Sequence, residues 1–481
     1  MNEITNLSKV NSYDGLSEEQ RRDALNCNDE EFFNTDPLNV SNVEIENPHG
    51  LLGAMCRNMQ KMAARRLDLS YPLYGLHILS LLSAGRHGYQ GAKLSFFSII
   101  SAESASGKDL GQNYLALVAN ELSLSKYMFD KPRSDKDLIV NLIATDGLSC
   151  YKIDEVHGLF NSINSKQAQS YHAGIGDELL KMATTRLYTL SGLHRREQQS
   201  IYLKLLAKAE RKLEKATDDK ARDYANKEIN LITKTLDKIE SGFPSPIVNF
   251  AGASTPQNID NLINEDNIHS GLLGRSIIIR CDEGREELQT DRDDFIQTDI
   301  LKRLINIKNG SFKPINASNE AKKYLELLSL HYDQEVFRND HRLGALYSRL
   351  YERVVVIASL LATESGEIEL QDCRYALALC LRHIRDCNFL AKEASRNKLD
   401  MNPDSINSAI GSRILTFIER AGKKGILSST LKQKVAKVFK TPMQKRTLEN
   451  NFARTLDIQL KTGLVKQSQS RYYSFEINLS S

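Results

Sequence analysis

The sequence predicts an α/β fold, a parallel sheet between helices followed by a small basic helical module. Three observations predict it. Apolar runs at 94–100, 148–154, 246–253 and 275–281 alternate with amphipathic segments of helical length, and such alternation builds parallel sheets. Only 10 prolines and 26 glycines occur in 481 residues, too few for a turn-rich β protein. Charge is uneven: residues 1–47 carry 11 acidic and 3 basic side chains, residues 405–481 carry 14 basic and 4 acidic, yet the chain nets only +3.

The composition, 41% hydrophobic and 26% charged, is that of a soluble globular protein. No apolar run approaches the roughly 20 residues a membrane helix needs, and residues 1–12 lack a basic-then-apolar secretion signal. A cytoplasmic protein with no membrane partner is expected. The seven cysteines include no CxxC pair. Cys373, Cys380 and Cys387 recur at heptad spacing, which predicts small core residues on one helix face rather than zinc ligands or disulfides.

In chain order, residues 1–47 read as an acidic flexible arm or docking segment. Residues 48–92 read as a helical subdomain, with helices at 51–66 and 72–84. The α/β core spans 93–314, with helices at 108–122, 135–144 and 173–189. Within it, 195–240 is rich in Lys, Glu, Ala and Leu and weak only at 216–219, which predicts an αα-hairpin insertion with a solvated, charge-laced surface. A helical lid is expected over 315–398 and a linker over 399–404.

The turn after the first strand carries a candidate phosphate site: Ala102, Glu103, Ser104, Ala105, Ser106, Gly107, Lys108, Asp109. The P-loop pattern is G-x-x-x-x-G-K-[ST] between a strand and a helix. Small side chains let successive backbone N–H groups face one concavity at a helix N-terminus, and Lys108 would reach the terminal phosphates. Ala102 departs from the first glycine, and Asp109 replaces the usual Mg²⁺-ligating hydroxyl. A carboxylate at Asp109 remains a fit oxygen ligand for Mg²⁺. The second strand ends in Asp154-Glu155, the Walker B form, in which the first acid orders Mg²⁺ and the second polarises the attacking water.

Ser254 and Thr255, ending the third strand, are candidates to sense the terminal phosphate between the two acidic and basic elements. Arg275, in a glycine-flanked turn before the fourth strand, is a candidate arginine finger acting on a neighbouring chain's nucleotide.

Together these motifs resemble an uncharacterised-domain ATPase family found in phage, plasmid and genomic-island replication proteins, similar to AAA+ and superfamily-3 hexameric helicases. The motifs are Ala102–Asp109, the 152–160 run with Asp154 and Glu155, the 250–256 run, and 271–275. The resemblance covers about residues 70–390. It implies a P-loop, AAA+-like core that uses ATP and Mg²⁺, assembles as a homo-oligomer, expected to be a hexamer, and works on DNA. It also likens 346–353 to a sensor-2 helix, with Arg349 facing the nucleotide.

The basic end shows helices at 406–421, 431–438 and from Pro442 to about 460, then two short strands around a Gln-Ser-Gln-Ser turn. That is the winged helix-turn-helix layout, with Gln444, Lys445, Arg446, Asn450 and Arg454 facing the major groove and Lys466 and Arg471 on the wing. Such wings also dock proteins, which leaves that role open and allows replication partner proteins.

The leading expectation is an ATP-dependent DNA helicase or replication initiator of a mobile genetic element. Two others stand beside it: a DNA-binding initiator or regulator using ATP only as an assembly switch, and a defence or packaging ATPase.

Overall fold

Phe97–Ala102 (β1) is buried at every position, the pattern of a strand covered on both faces. It forms a sheet with Met128–Phe129 (β2), Leu148–Ile153 (β3), Ile247–Ser254 (β4) and Ile277–Cys281 (β5). The strand order is β2-β3-β4-β1-β5, and every pairing is parallel. The structure, a computed structural model, describes residues 37–83, 86–164, 170–259, 272–281, 286–310, 314–399, 403–421, 424–437, 442–461, 465–468 and 471–474.

The register decides what meets at the sheet's C-terminal edge. β4 pairs with β1 through Ser101↔Ser254 and with β3 through Ile153↔Gly252. The strand ending in Ser254 therefore lies between the strand that leads into the glycine–lysine loop and the strand that leads into the two acids. β2 escapes sequence reading because it is two half-buried residues at the sheet edge, too short to show any periodicity.

Helices Gly50–Met62 (α1), Tyr71–Leu82 (α2) and Asp109–Glu121 (α3) belong to the same unit as the sheet. All twelve residues of α2 are buried, so 48–92 is not a subdomain apart from the core. His77 Nε2 lies 2.8 Å from Ser98 Oγ on β1, and Ser80 Oγ donates to Asn249 Oδ1 of β4 at 2.7 Å. At Gly111 of α3, a Cβ would meet the Tyr74 ring at 2.0 Å, so any side chain there would push α3 off α2.

The acidic leader also departs from expectation. Residues 1–36 lie outside the described residues, but its last turn, Asn42–Glu46, is helical with Ile45 fully buried. Tyr375 Oη donates to the Ile45 carbonyl at 3.0 Å, Arg385 Nη1 donates to the Val40 carbonyl at 2.9 Å, and Arg382 Nη1 donates to Asn42 Oδ1. Low hydrophobicity across the whole arm concealed the buried Val40 and Ile45.

Asp135–Ala144 (α4) starts with Ser134 accepting from the Asp137 N–H, a side-chain N-cap. Ser170–Thr184 (α5) precedes the insertion, which consists of Gly192–Glu214 (α6) and Asp219–Ser241 (α7). Ion pairs Lys212–Glu228 at 2.7 Å and Arg195–Glu240 at 3.6 Å link the two helices, the charge-laced surface expected.

The 315–398 region is mostly helical: Asn319–Tyr332 (α8), Leu350–Leu361 (α9) and Leu370–Leu399 (α10). Cys373, Cys380 and Cys387 are buried and free. The chain divides into two units, Met1–Leu390 and Ala391–Ser481, with the division inside α10 rather than at a linker; residues 400–402 of that linker lie outside the described residues.

Two buried imidazoles set an acid limit on stability. Burial lowers the pKa of His77 from 6.5 to about 3. Burial and then the charge of Arg353 push His383 well below 6.5, and its Nδ1 accepts the Ile278 N–H. Both groups protonate in the unfolded chain before the folded one, so their contribution is full above about pH 6.5 and is lost as pH falls. Below that point stability should fall by about 2.7 kcal/mol per pH unit. Urea unfolding midpoints at about pH 7.5 and about pH 5.5 check it.

The second unit contains Pro403–Ala421 (α11), Ser428–Ala436 (α12) and Pro442–Lys461 (α13), with strands Ile426–Leu427 (β6), Val465–Ser468 (β7) and Arg471–Ser474 (β8). The strands form an antiparallel sheet in the order β6-β8-β7. Ile410, Ile414, Ile418, Leu431, Val435, Leu448, Phe452 and Leu456 form its apolar core. Burying each such side chain is worth roughly 1.5–3 kcal/mol.

Candidate functional site

The loop between β1 and α3 adopts two left-handed residues, Ala105 at φ +60° and Gly107 at φ +96°. Alternating hand turns consecutive N–H groups toward one concavity, the geometry of an anion nest. Gly107 is required there twice over: its φ disfavours any side chain, and a Cβ would stand 2.2 Å from the Arg65 carbonyl oxygen. The Ser106 side-chain oxygen is sealed from solvent without a hydrogen-bond partner, so the loop holds an unsatisfied hydroxyl.

Lys108 caps α3 and turns to the acids of the neighbouring strand end. Its Nζ lies 3.1 Å from Glu155 Oε1 and 3.4 Å from Asp154 Oδ1. The other Glu155 oxygen, Oε2, lies 3.0 Å from His157 Nδ1 and accepts from Ser254 Oγ at 3.3 Å. His157 Nδ1 and Ser254 Oγ are themselves 2.9 Å apart. The loop lysine, both acids and the hydroxyl ending β4 thus form one connected cluster.

Glu155 sits at φ +50°, a costly conformation for a side-chain-bearing residue and one concentrated at functional sites. Partial desolvation raises the Glu155 pKa, but the Lys108 hydrogen bond and charge, with the Ser254 bond, outweigh it and hold the carboxyl below its ordinary value. For Lys108 desolvation works downward and the two acids prevail, raising its pKa. Asp109 is exposed in the first turn of α3, and Asp154 is exposed beside Lys108.

Ala102 is buried at the end of β1, paired with Cys281, so its place is the strand rather than the loop mouth; Ser104 and Ala105 are exposed on the loop. Thr255 stays out of the cluster: its carbonyl accepts the Asn258 and Ile259 N–H groups, each at 3.0 Å, in the next turn. His157, by contrast, carried no assignment from sequence. Its signal was its place, two residues beyond the second acid on the turn that opens His157–Asn164.

Arg275 and Arg349 lie elsewhere. Both line a cavity of about 480 Å³ with Lys93, Phe96, Ile277 and Arg353. Phe96 precedes β1 and Ile277 opens β5, so the cavity is at the N-terminal edge of the sheet. β1 separates it from the loop by six residues, roughly 20 Å at about 3.3 Å per residue. A cis sensor role for Arg349 on its own chain's loop does not fit that placement. Arg349 is the N-cap of α9, whose Val354, Val355, Ile357 and Ala358 are buried, and this packing fixes the helix start at the far edge.

Among the described residues no group of three or more His, Cys, Asp or Glu side chains forms a metal cage, and no helix is long and apolar enough to cross a membrane. Mg²⁺ needs only one or two protein carboxylates when phosphates supply further ligands. The exposed oxygens of Asp109 and Asp154 at the loop mouth are donors of that type.

On the second unit, Lys445 and Arg454 are exposed on α13. Lys466 is half-buried on β7, and Arg471 Nη1 on β8 donates to the Lys424 carbonyl at 2.7 Å. Arg446 falls on α13; its side chain lies outside the described residues. The α/β sheet, the loop and the acid pair define a candidate anion-binding site of the kind nucleotides occupy. Comparison with protein-family models, curated proteins and solved structures gave no match.

Proposed function

We propose that the chain is a P-loop ATPase with an AAA+-like core and a C-terminal winged helix-turn-helix, working as an ATP-dependent DNA helicase or replication initiator of a mobile element. The observation that carries this reading is the contact of Lys108 with Asp154 and Glu155 beneath Ser254. Two sequence segments about 45 residues apart meet in the geometry that phosphoryl transfer needs: a cationic anion nest facing paired carboxylates.

ATP phosphates would enter the nest, and Lys108 would exchange its carboxylates for phosphate oxygens. That exchange releases Glu155 Oε1 to accept a proton from the attacking water, while Ser254 and His157 keep the other oxygen in place. Losing the Lys108 charge also raises the basicity of Glu155, which suits a general base. Mg²⁺, held by Asp109 and Asp154, would neutralise charge on the transferred phosphoryl group.

The second unit supports the DNA part of the reading by its three helices, antiparallel wing and excess of basic residues. Lys445 and Arg454 on α13 would meet phosphates or base edges, with Lys466 on the wing. Affinity should fall steeply with salt, and each of Lys445→Ala and Arg454→Ala should lower the log–log salt slope by about 1 if it contacts a phosphate. Fluorescence anisotropy of a labelled duplex across a salt series measures that slope; unchanged slopes in both variants would remove α13 from the DNA interface.

An unwinding assay on a forked duplex tests the motor reading. Strand separation that needs hydrolysable ATP is the expected result. Hydrolysis and DNA binding without separation would favour the assembly-switch alternative.

A further inference from the structure

The helical insertion carries different chemistry on its two exposed faces. On α7, Lys220, Tyr224, Lys227, Leu231, Lys234 and Lys238 recur at steps of four and three, which sets them in one stripe along the helix. The matching stripe of α6 is Ile201, Leu205, Lys208 and Lys212, continued by the C-cap Lys215. The Lys212–Glu228 ion pair joins the helices on this side, so both stripes belong to one face. Its apolar side chains stand in solvent, Tyr224 and Leu231 each 68% exposed. Lys208, Lys215, Lys220 and Lys234 have no carboxylate partner among the described residues.

The opposite face has the other sign. There α6 presents Leu203, Ala207, Glu210 and Glu214, again at steps of four and three, and α7 presents Asp237 and Glu240. Arg195 and Gln199 both meet Glu240 and close the helices on this side. Arg196, Gln199, Leu203 and Ala207 line a shallow groove in it. Glu210, Glu214 and Asp237 have no cationic partner among the described residues.

The two faces also correspond in height. At about 1.5 Å per residue, Leu203 and Leu205 lie about 3 Å apart along α6, Glu210 about 3 Å from Lys208 and Lys212, and Glu214 about 1.5 Å from Lys215. On α7, Asp237 lies within about 5 Å of Lys234 along the axis. A hairpin laid on a copy of itself, like ends together, sets leucine on leucine and lysine on acid. Twenty-three residues per helix give about 34 Å of length, and two packed helices are about 20 Å across. Each face therefore offers about 700 Å², close to the roughly 800 Å² per partner of a stable interface.

We propose that the insertion is a self-association surface, the lysine-rich face of one hairpin docking on the acidic face of the hairpin of a second copy of this chain. Different faces meet, so the contact is heterologous: copies add in one direction and close into a ring where the rotation permits. The exposed Ile201, Leu205, Tyr224 and Leu231 favour a protein surface over a bare polyanion. This interface goes beyond the ATPase reading and does not depend on it, because no residue of the loop cluster takes part.

The test uses full-length protein and two charge reversals. Lys208→Glu with Lys215→Glu sets acids opposite Glu210 and Glu214; Glu210→Lys with Glu214→Lys sets lysines opposite Lys208 and Lys215. Each double variant alone should raise the half-assembly concentration in sedimentation velocity by at least about tenfold. Mixed in equal amounts, the two should co-assemble near the wild-type concentration, since each supplies the charge the other needs. All four side chains are exposed, so circular dichroism of both variants should match the wild type. Wild-type association should also weaken as salt is added, a measurement that needs no variant.

Wild-type protein that stays monomeric, variants that associate as the wild type does, no recovery on mixing, or association indifferent to salt would each overturn the proposal. Loss of single-stranded DNA binding in the lysine variant, with self-association unchanged, would overturn it in favour of a nucleic-acid surface.

Discussion

Lys108→Ala is expected to abolish ATP turnover, by about 10²-fold at least, and to weaken nucleotide binding in parallel. The ammonium lies inside the cluster, 3.1 Å from Glu155 and 3.4 Å from Asp154. A charge-assisted hydrogen bond is worth about 1.5–3 kcal/mol, and stabilisation of transition-state charge adds to it. The variant should still fold. Its side chain pairs with acids that are 45% and 57% exposed, so those carboxylates return to water at little cost when the lysine is removed. Steady-state hydrolysis beside a thermal melt separates loss of chemistry from loss of fold.

Glu155→Gln should behave differently. The amide keeps the shape and can still meet Ser254 or His157, but it cannot accept a proton. Turnover should drop by about 10²–10⁴-fold, while Mg-ATP binding persists or tightens, because Lys108 is no longer held by a charged Glu155. Single-turnover hydrolysis and equilibrium binding on the same preparation measure the two effects. Equal loss of binding and turnover would mean that Glu155 organises the site rather than activates water.

The depressed pKa of Glu155 gives the sign of the pH dependence around this cluster. The pairing with Lys108 is present above the ordinary carboxylate range and is lost as pH falls through the lower folded value. Acid should therefore loosen the cluster in the ligand-free chain.

Much of the fold was legible because the four principal strands are mostly apolar and almost wholly buried, and such runs announce themselves. Asp135–Ala144 was read to its ends, since Ser134 supplies an N-cap and an Asp-Gly turn follows. Asp154 and Glu155 were legible as acids at a strand end. That they share a site with Lys108 was expected from the P-loop and Walker B forms; the individual contacts depend on register, since Ser101↔Ser254 and Ile153↔Gly252 bring three chain segments to one edge.

His157 escaped because nothing in its local pattern separates it from any polar residue opening a helix. Its meaning comes from Ser254, 97 positions away. Arg349 was assigned by the likeness of 346–353 to a sensor-2 helix, which carries no information about the two edges of a sheet. The anchoring of Ile45 was hidden for a related reason: a hydrogen bond from the Tyr375 hydroxyl to its backbone carbonyl across the fold leaves no periodicity in the sequence.

The central claim is that the nest and the acids form one Mg-ATP site. Its most direct test is calorimetric titration of the full-length protein with a non-hydrolysable ATP analogue and Mg²⁺, beside the Lys108→Ala variant. The expected result is one saturable site per chain, lost or weakened at least about tenfold in the variant. Absence of saturable binding to the wild type, or equal affinity in both proteins, would contradict it.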